Sequence, residues 1–371
     1  MKNKLSLSIA IPMYNHERTI RATLNSIFSQ LDDIKDVCDL EVVIADNCST
    51  DKSPEIIKTE YLPKYEGILK YFKNEENIGM SRNFNRVAEY STKEYVWLFG
   101  DDLICEKSIK TTCMDILSKN KKFGAILLNC HSSNDITEYP LRIAVESKYS
   151  NEIFEFNNIS DMSRKIKKTE DFNGSVLQPA FISLLIISRQ LWQKYYQSTD
   201  ANSIFPHLYP YFRITKTHPI LFIDKILVIN QGALAYQLNN IELQIKTTLD
   251  QVLCLKDVFG NIDILSLKDK KVLNNHFINA AILRSAFKTK KYNHEEILDM
   301  SINHYTFLTK NELMLIKLFR KLSSKLALYI ITMLKTKKFR KKVKKFGKFI
   351  LLTTIFILIY KISLHFRIIS S

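Results

Sequence analysis

Tyr95-Val96-Trp97-Leu98-Phe99-Gly100-Asp101-Asp102 is the stretch that decides how this chain is read. Five large apolar residues run without a break and stop at a glycine and two carboxylates. An unbroken run of this kind reads as a strand covered on both faces, as in parallel sheets packed between helices. The strand end then places two adjacent acids at the rim of the sheet. Successive side chains of an extended segment point to opposite sides, so the two carboxylates can serve two partners. Hard oxygen ligands suit Mg²⁺ or Mn²⁺ bridging a diphosphate, while the second acid can meet a ribose hydroxyl. Taken alone, Asp-Asp is also what a turn with a helix-capping aspartate looks like.

Outward from this stretch, strand and helix signals alternate over the first 130 residues. An apolar run at 5–11 stops at Pro12. Ile20, Leu24, Ile27 and Leu31 stand at helical spacing. Residues 40–45 are apolar and β-branched and end at Asp46. The 51–62 stretch predicts a helix, with Ser49 or Asp51 as cap and Pro54 in its first turn. Residues 68–72 and 123–128 read as further strands, and 80–90 as a helix entered after Asn77-Ile78-Gly79. The pattern predicts an α/β fold with a mostly parallel central sheet flanked by helices. In such sheets ligands bind at the carboxyl ends of the strands, where the polar clusters after strands one, two and four fall. From 131 to 240 the pattern loosens. There, 177–188 is strongly apolar, 221–229 reads as a strand, and His207, Tyr209, Tyr211 and Arg213 lie between. From Ile241 onward the periodicity is helical.

The charge balance points the same way. The 371 residues carry 54 Lys and Arg against 38 Asp and Glu, a formal net charge of +16. Fifteen of the basic residues and none of the acidic ones fall in 313–371, which leaves 39 basic against 38 acidic elsewhere. The body is nearly neutral, so no nucleic-acid partner is expected. The tail joins a basic block at 335–348 to an uncharged apolar run at 349–360. That run is shorter than the ~20 residues of a spanning helix. It suits an interfacial anchor on an anionic cytoplasmic leaflet. The six cysteines form no CxxC pair. Residues 1–12 show no small-residue cleavage site, and a reducing setting is expected.

Three further clusters carry chemistry. Pro12-Met13-Tyr14-Asn15 follows strand one and offers an aromatic ring for stacking on a nucleobase. Asp46-Asn47-Cys48-Ser49-Thr50-Asp51 follows strand two, with carboxylate and amide edges for a pyrimidine. Asn77-Ile78-Gly79-Met80-Ser81-Arg82-Asn83 opens a helix whose N–H groups and Arg82 can hold phosphate. In this order, ending at Asp101-Asp102, the set resembles the family 2 glycosyltransferases with the GT-A fold. The resemblance is firm over 5–130 and looser over 131–235. Its second half looks like O-antigen and capsule sugar transferases, the abequosyltransferase-like branch among them.

The resemblance implies roles by position. Pro12, Tyr14 and Asn15 would line the nucleotide-sugar pocket, and Asp46 or Asn47 would contact the base. The family usually has two acids here, so Asn47 is a departure. Arg82 would support the phosphates, Asp101 the ribose, and Asp102 the metal, Mn²⁺ or Mg²⁺. It further implies single displacement with inversion, which needs a general base. Asp171, beside Glu170, is the candidate, with Asp200 also considered and His207 as a titratable option, third ligand or acceptor contact. No Gln-x-x-Arg-Trp signature of processive synthases occurs, which favours single-sugar addition. The expected organisation is a GT-A catalytic domain at 1–240 (nucleotide half 1–130, acceptor half 131–240), a helical region at 241–312, and a membrane-associating helical extension at 313–371. The expected donor is a nucleoside-diphosphate sugar. The expected acceptor is a glycan on a polyprenyl diphosphate, at the cytoplasmic face of a bacterial inner membrane. A sugar nucleotidyltransferase and a membrane-bound assembly scaffold with a non-catalytic nucleotide site are the alternatives.

Overall fold

The computed structural model describes residues 4–132, 150–168, 174–230, 241–261 and 263–266. All belong to one compact unit, Met1–Phe277; a second unit comprises Ile278–Ser371. In chain order the elements are β1 Leu5–Met13, α1 Ile20–Phe28, α2 Leu31–Ile34, β2 Cys38–Asp46, α3 Ser53–Ile56, β3 Leu69–Lys73, α4 Met80–Tyr90, β4 Tyr95–Leu98, β5 Leu103–Ile104, α5 Ser108–Leu117 and β6 Ala125–Ser132. There follow β7 Ile153–Phe156, α6 Ile159–Lys168, β8 Leu185–Ser188, α7 Arg189–Tyr195, α8 Leu208–Thr215, β9 Ile220–Asn230 and α9 Ile241–Phe259.

These strands form one sheet in the order β3-β2-β1-β4-β8-β6-β9-β5, with β7 also paired to β9. The strands from β3 to β4 are parallel, and β1 is buried along almost its whole length because helices cover both faces. Beyond β4 the expectation of a mostly parallel sheet is corrected. β8 runs antiparallel to both β4 and β6, and β5 and β7 run antiparallel to β9. Only β6 and β9 are parallel there. The reason lies in the apolar stretch 177–188, which does not make one long strand. Gln178–Ala180 and Ile182–Leu184 close into 3₁₀ turns, and only Leu185–Ser188 is left to pair. The residues entering from those turns slot between β4 and β6 and reverse the local direction.

The link from β4 to β5 is short. Five residue steps separate Leu98 from Leu103, a reach of at most about 18 Å. In a flat sheet four strand spacings of ~4.8 Å would put β5 about 19 Å away. The sheet therefore has to curl at this end, and the link carrying Gly100, Asp101 and Asp102 crosses the gap.

Helix α1 buries Ile20, Leu24 and Ile27 of the expected stripe, together with Phe28, while Leu31 falls in α2 and is half-buried. The expected helix at 51–62 begins as α3, with Pro54 in its first turn, and continues as a π-helical turn at Ile57–Tyr61.

Candidate active site

The loops after β1, β2 and β4 meet at the carboxyl ends of the parallel strands. After β1, Pro12 and Met13 are buried and Tyr14 stands 44% exposed. Asn15 takes a left-handed φ of 56°, a conformation that asparagine tolerates. Its N–H donates to Ser49 Oγ (3.0 Å) and its Oδ1 accepts from the Thr50 N–H (2.9 Å). The first and second loops are thus stitched together.

After β2, Asp46 is fully buried. Its Oδ1 accepts from the Ser49 N–H (2.8 Å) and its Oδ2 from the Tyr71 hydroxyl (2.5 Å). Burial, with the Asp46 carboxylate beside it, pushes the Tyr71 hydroxyl well above the usual tyrosine range. Asn47 donates its N–H to the Met13 carbonyl (2.8 Å) and its Nδ2 to Asn77 (2.8 Å), while its Oδ1 accepts from the Ile78 N–H (2.9 Å). An amide supplies both a donor and an acceptor where a carboxylate would supply only acceptors. Asn47 thereby pins the loop leading to α4. Gly79 (φ 85°) makes the turn that opens this helix, and Arg82 lies exposed on its first turn.

After β4, Asp101 and Asp102 face opposite ways, as their extended setting predicts. Asp101 is half-buried and its Oδ2 accepts from Thr19 Oγ1 (3.4 Å), on the β1–α1 side. Asp102 is 5% exposed and its Oδ2 accepts from Ser183 Oγ (2.5 Å), on the side of the 3₁₀ turns. Burial, together with the charges of Asp102 and Cys105, pushes the nearby Cys130 thiol up to about 12 and keeps it neutral.

A cation would meet a suitable donor set here. Gly100 lies against the pair, and a Cβ at this position would sit 3.3 Å from both Asp102 Oδ2 and Ser183 Oγ. The cradle therefore closes on the Asp102 carboxylate and the Ser183 hydroxyl, both hard-oxygen groups. No group of three His, Cys, Asp or Glu capable of holding a metal occurs among the described residues. Mg²⁺ and Mn²⁺ usually take one or two carboxylates together with substrate phosphates.

Sequence reasoning assigned nothing to His16 and no role to Ser183. The His16 Nδ1 is buried without a hydrogen-bond partner among the described residues. Burial holds its imidazole below the ordinary value, against the opposing pull of Asp101, Asp51 and Asp46. A neutral ring therefore sits among three carboxylates. Its only sequence signal is its place next to Asn15.

The expected base candidates fall in different places. Glu170 and Asp171 lie outside the described residues. Asp200 gives both oxygens to Arg213 (2.6 and 2.8 Å), a bidentate pair that removes it from proton transfer. His207 is buried, with Nε2 2.7 Å from the Pro179 carbonyl. Because a carbonyl only accepts, Nε2 carries the proton and Nδ1 the lone pair. That Nδ1 has no hydrogen-bond partner among the described residues. Burial lowers the pKa to about 4, so the ring is neutral at pH 7. The basic and apolar segment at 313–371 lies outside the described residues, among which no helix is long and apolar enough to cross a membrane.

Residues 8–179 match the family described as Glycosyl transferase family 2. The chain carries a family 2 glycosyltransferase domain. Abequosyltransferase RfbV of Salmonella typhimurium is 27% identical over 237 residues, covering 61% of this chain and 66% of that protein. The SPbeta prophage-derived glycosyltransferase SunS of Bacillus subtilis is 28% identical over 134 residues, 36% of this chain and 28% of that protein. The chain thus spans just under two thirds of the first relative and under a third of the second. Among solved structures, S. aureus TarS 1–349 in complex with UDP is 18% identical with a TM-score of 0.49, over 81% of this chain and 79% of that one. Mannosyltransferase PcManGT from Pyrobaculum calidifontis, in complex with GDP-Man and Mn²⁺, is 14% identical with a TM-score of 0.48, over 88% and 87%.

Proposed function

We propose that this chain is an inverting, cation-dependent glycosyltransferase of the GT-A type. It would move one sugar from a nucleoside diphosphate to a hydroxyl of a lipid-linked glycan in surface polysaccharide synthesis. The observation that carries this reading is the acid pair at the tip of β4. Two carboxylates are held by hydrogen bonds on opposite sides of a link that faces the loops after β1 and β2. The family 2 domain and the abequosyltransferase relative support a sugar-nucleotide donor.

In this reading Tyr14 stacks on the base, with Pro12, Asn15, Asp46 and Asn47 shaping that end of the pocket. Arg82 neutralises phosphate and Asp101 takes the ribose. Asp102 holds the cation, which when bound offsets the charge gathering on the departing diphosphate. The acceptor hydroxyl attacks the anomeric carbon from the opposite face and gives its proton to a base. Asp171 and His207 are the candidates. His207 Nδ1 is buried, so it could serve as base or acceptor contact only if the acceptor uncovered it.

The test is a thermal-shift panel of UDP, GDP, CDP and dTDP, each with and without Mn²⁺. A ligand at about 100 times its Kd adds roughly 2.7 kcal/mol to the folded state, a rise of several degrees in a unit of this size. One diphosphate is expected to produce that rise, and Mn²⁺ to enlarge it. A flat response to all four, with and without Mn²⁺, defeats the reading.

The anchor is a separate part of the proposal. The one-signed basic block and the apolar run of 313–371 would hold the enzyme on an anionic leaflet, beside a lipid-linked acceptor. Truncation after Asn311 is expected to move the protein from the membrane pellet to the supernatant while donor hydrolysis persists. A truncated protein that still pellets removes the anchor.

A further inference from the structure

Ser183 stands at a junction that the β4–β8 pairing creates. Leu98 pairs with Leu185, and continuing that antiparallel register two residues further sets Gly100 opposite Ser183. Three contacts fix the residue there. Its carbonyl accepts from Trp97 Nε1 (2.8 Å), a bond buried in the core. Its Oγ accepts from the Gly100 N–H (2.9 Å). Its Oγ also lies 2.5 Å from Asp102 Oδ2.

With Asp102 ionised, as a cation ligand must be, the polarity of this hydrogen-bond chain has one solution. The Gly100 N–H can only donate, and an ionised carboxylate can only accept. The single hydroxyl proton of Ser183 must therefore point at Asp102. Ser183 is fully buried, so no water competes for that proton. A hydroxyl donating to a carboxylate makes a short, charge-assisted bond, which fixes the carboxylate plane as well as its position. Gly100 completes the arrangement, since a side chain there would press on both oxygens.

We infer that Ser183 is a positioning residue: its hydroxyl, set by the Gly100 amide, aims the Asp102 carboxylate so that a divalent cation meets a preformed ligand. The inference rests on the cation role proposed for Asp102 and deepens it. Ligating carboxylates are commonly oriented by such outer partners, whose loss costs about 10–100-fold in metal affinity.

The experiment measures Mn²⁺ affinity by electron paramagnetic resonance on the full chain, alone and with each of UDP, GDP, CDP and dTDP. Ser183→Ala is expected to weaken Mn²⁺ at least about tenfold. Ser183→Thr, which keeps the hydroxyl, is expected to restore most of the affinity. Gly100→Ala removes no polar group but crowds the same two oxygens, and is expected to weaken Mn²⁺ as well. Asp102→Asn is the reference that loses it. Melting temperature is recorded for every variant. A Ser183→Ala protein that melts earlier yet binds Mn²⁺ like the wild type overturns the positioning role, provided Asp102→Asn has lost binding; the cation reading then stands. Unchanged binding in Asp102→Asn, or none in the wild type, overturns the cation reading and this inference with it. Should Ser183→Ala fail to fold, Gly100→Ala decides, and wild-type affinity there overturns the inference.

Discussion

Asp102→Asn is expected to lower sugar transfer by about a thousandfold, equivalent to roughly 4 kcal/mol of transition-state stabilisation. Asparagine keeps the shape of the side chain and can still accept from Ser183 Oγ, so the packing around Gly100 survives. What disappears is one full negative charge at a nearly buried position. On the proposed reading, the cation that would shield the diphosphate leaving group then lacks its fixed ligand. The donor contacts proposed for Tyr14 and Arg82 would remain, so the loss should be read from kcat at saturating donor. Single-turnover transfer rates, alongside circular dichroism to establish folding, check the expectation. A loss below tenfold in a folded variant would falsify the assignment of Asp102 to the reacting centre.

Asp200→Asn carries the second large effect, on stability. Asp200 is 2% exposed and binds Arg213 in the bidentate geometry at 2.6 and 2.8 Å. The guanidinium also donates to the Tyr195 carbonyl (2.9 Å), so one cation ties the turn after α7 to helix α8. Removing one partner of a buried ion pair strands the other and costs about 3–5 kcal/mol. At roughly 2–4 °C per kcal/mol for a unit of this size, the melting temperature should fall by around 10 °C. The double variant Asp200→Leu with Arg213→Met leaves no stranded charge and is expected to lose less than Asp200→Asn alone. A single variant melting within 2 °C of the wild type, a margin of about 0.5–1 kcal/mol, would mean that the pair contributes no more than a surface bridge does.

Much of this architecture could be read from local pattern. Strands β1, β2 and β4 are long or unbroken apolar runs, and burial on both faces leaves them little other choice. Asp101 and Asp102 were legible because they are adjacent and end such a run. The second half resisted reading for physical reasons. β5 is two residues long and exists only because β9 lies beside it. β8 occupies the last third of an apolar stretch whose earlier residues turn to bury Ser183 and Gln178, and hydrophobicity alone does not separate strand from turn. Ser183 and His16 escaped notice because their significance is wholly tertiary. One serine among many matters through a contact 81 residues away in the chain, and one histidine through acids from two separate segments. Asn47 is instructive in the opposite sense. It departs from the two acids that the resemblance implies, yet its amide, donating to Asn77 and accepting from the Ile78 N–H, holds a loop in place.

The tightness of the crossing between β4 and β5 bears on how this fold can diversify. Surface loops normally absorb insertions at little cost, and new specificities arise that way. Here one added residue between Leu98 and Asp102 would break the register that sets Gly100 opposite Ser183, and with it the contacts that hold the Asp102 carboxylate. Evolution and engineering alike must leave this span at its present length and look for novelty in the connections farther along the chain.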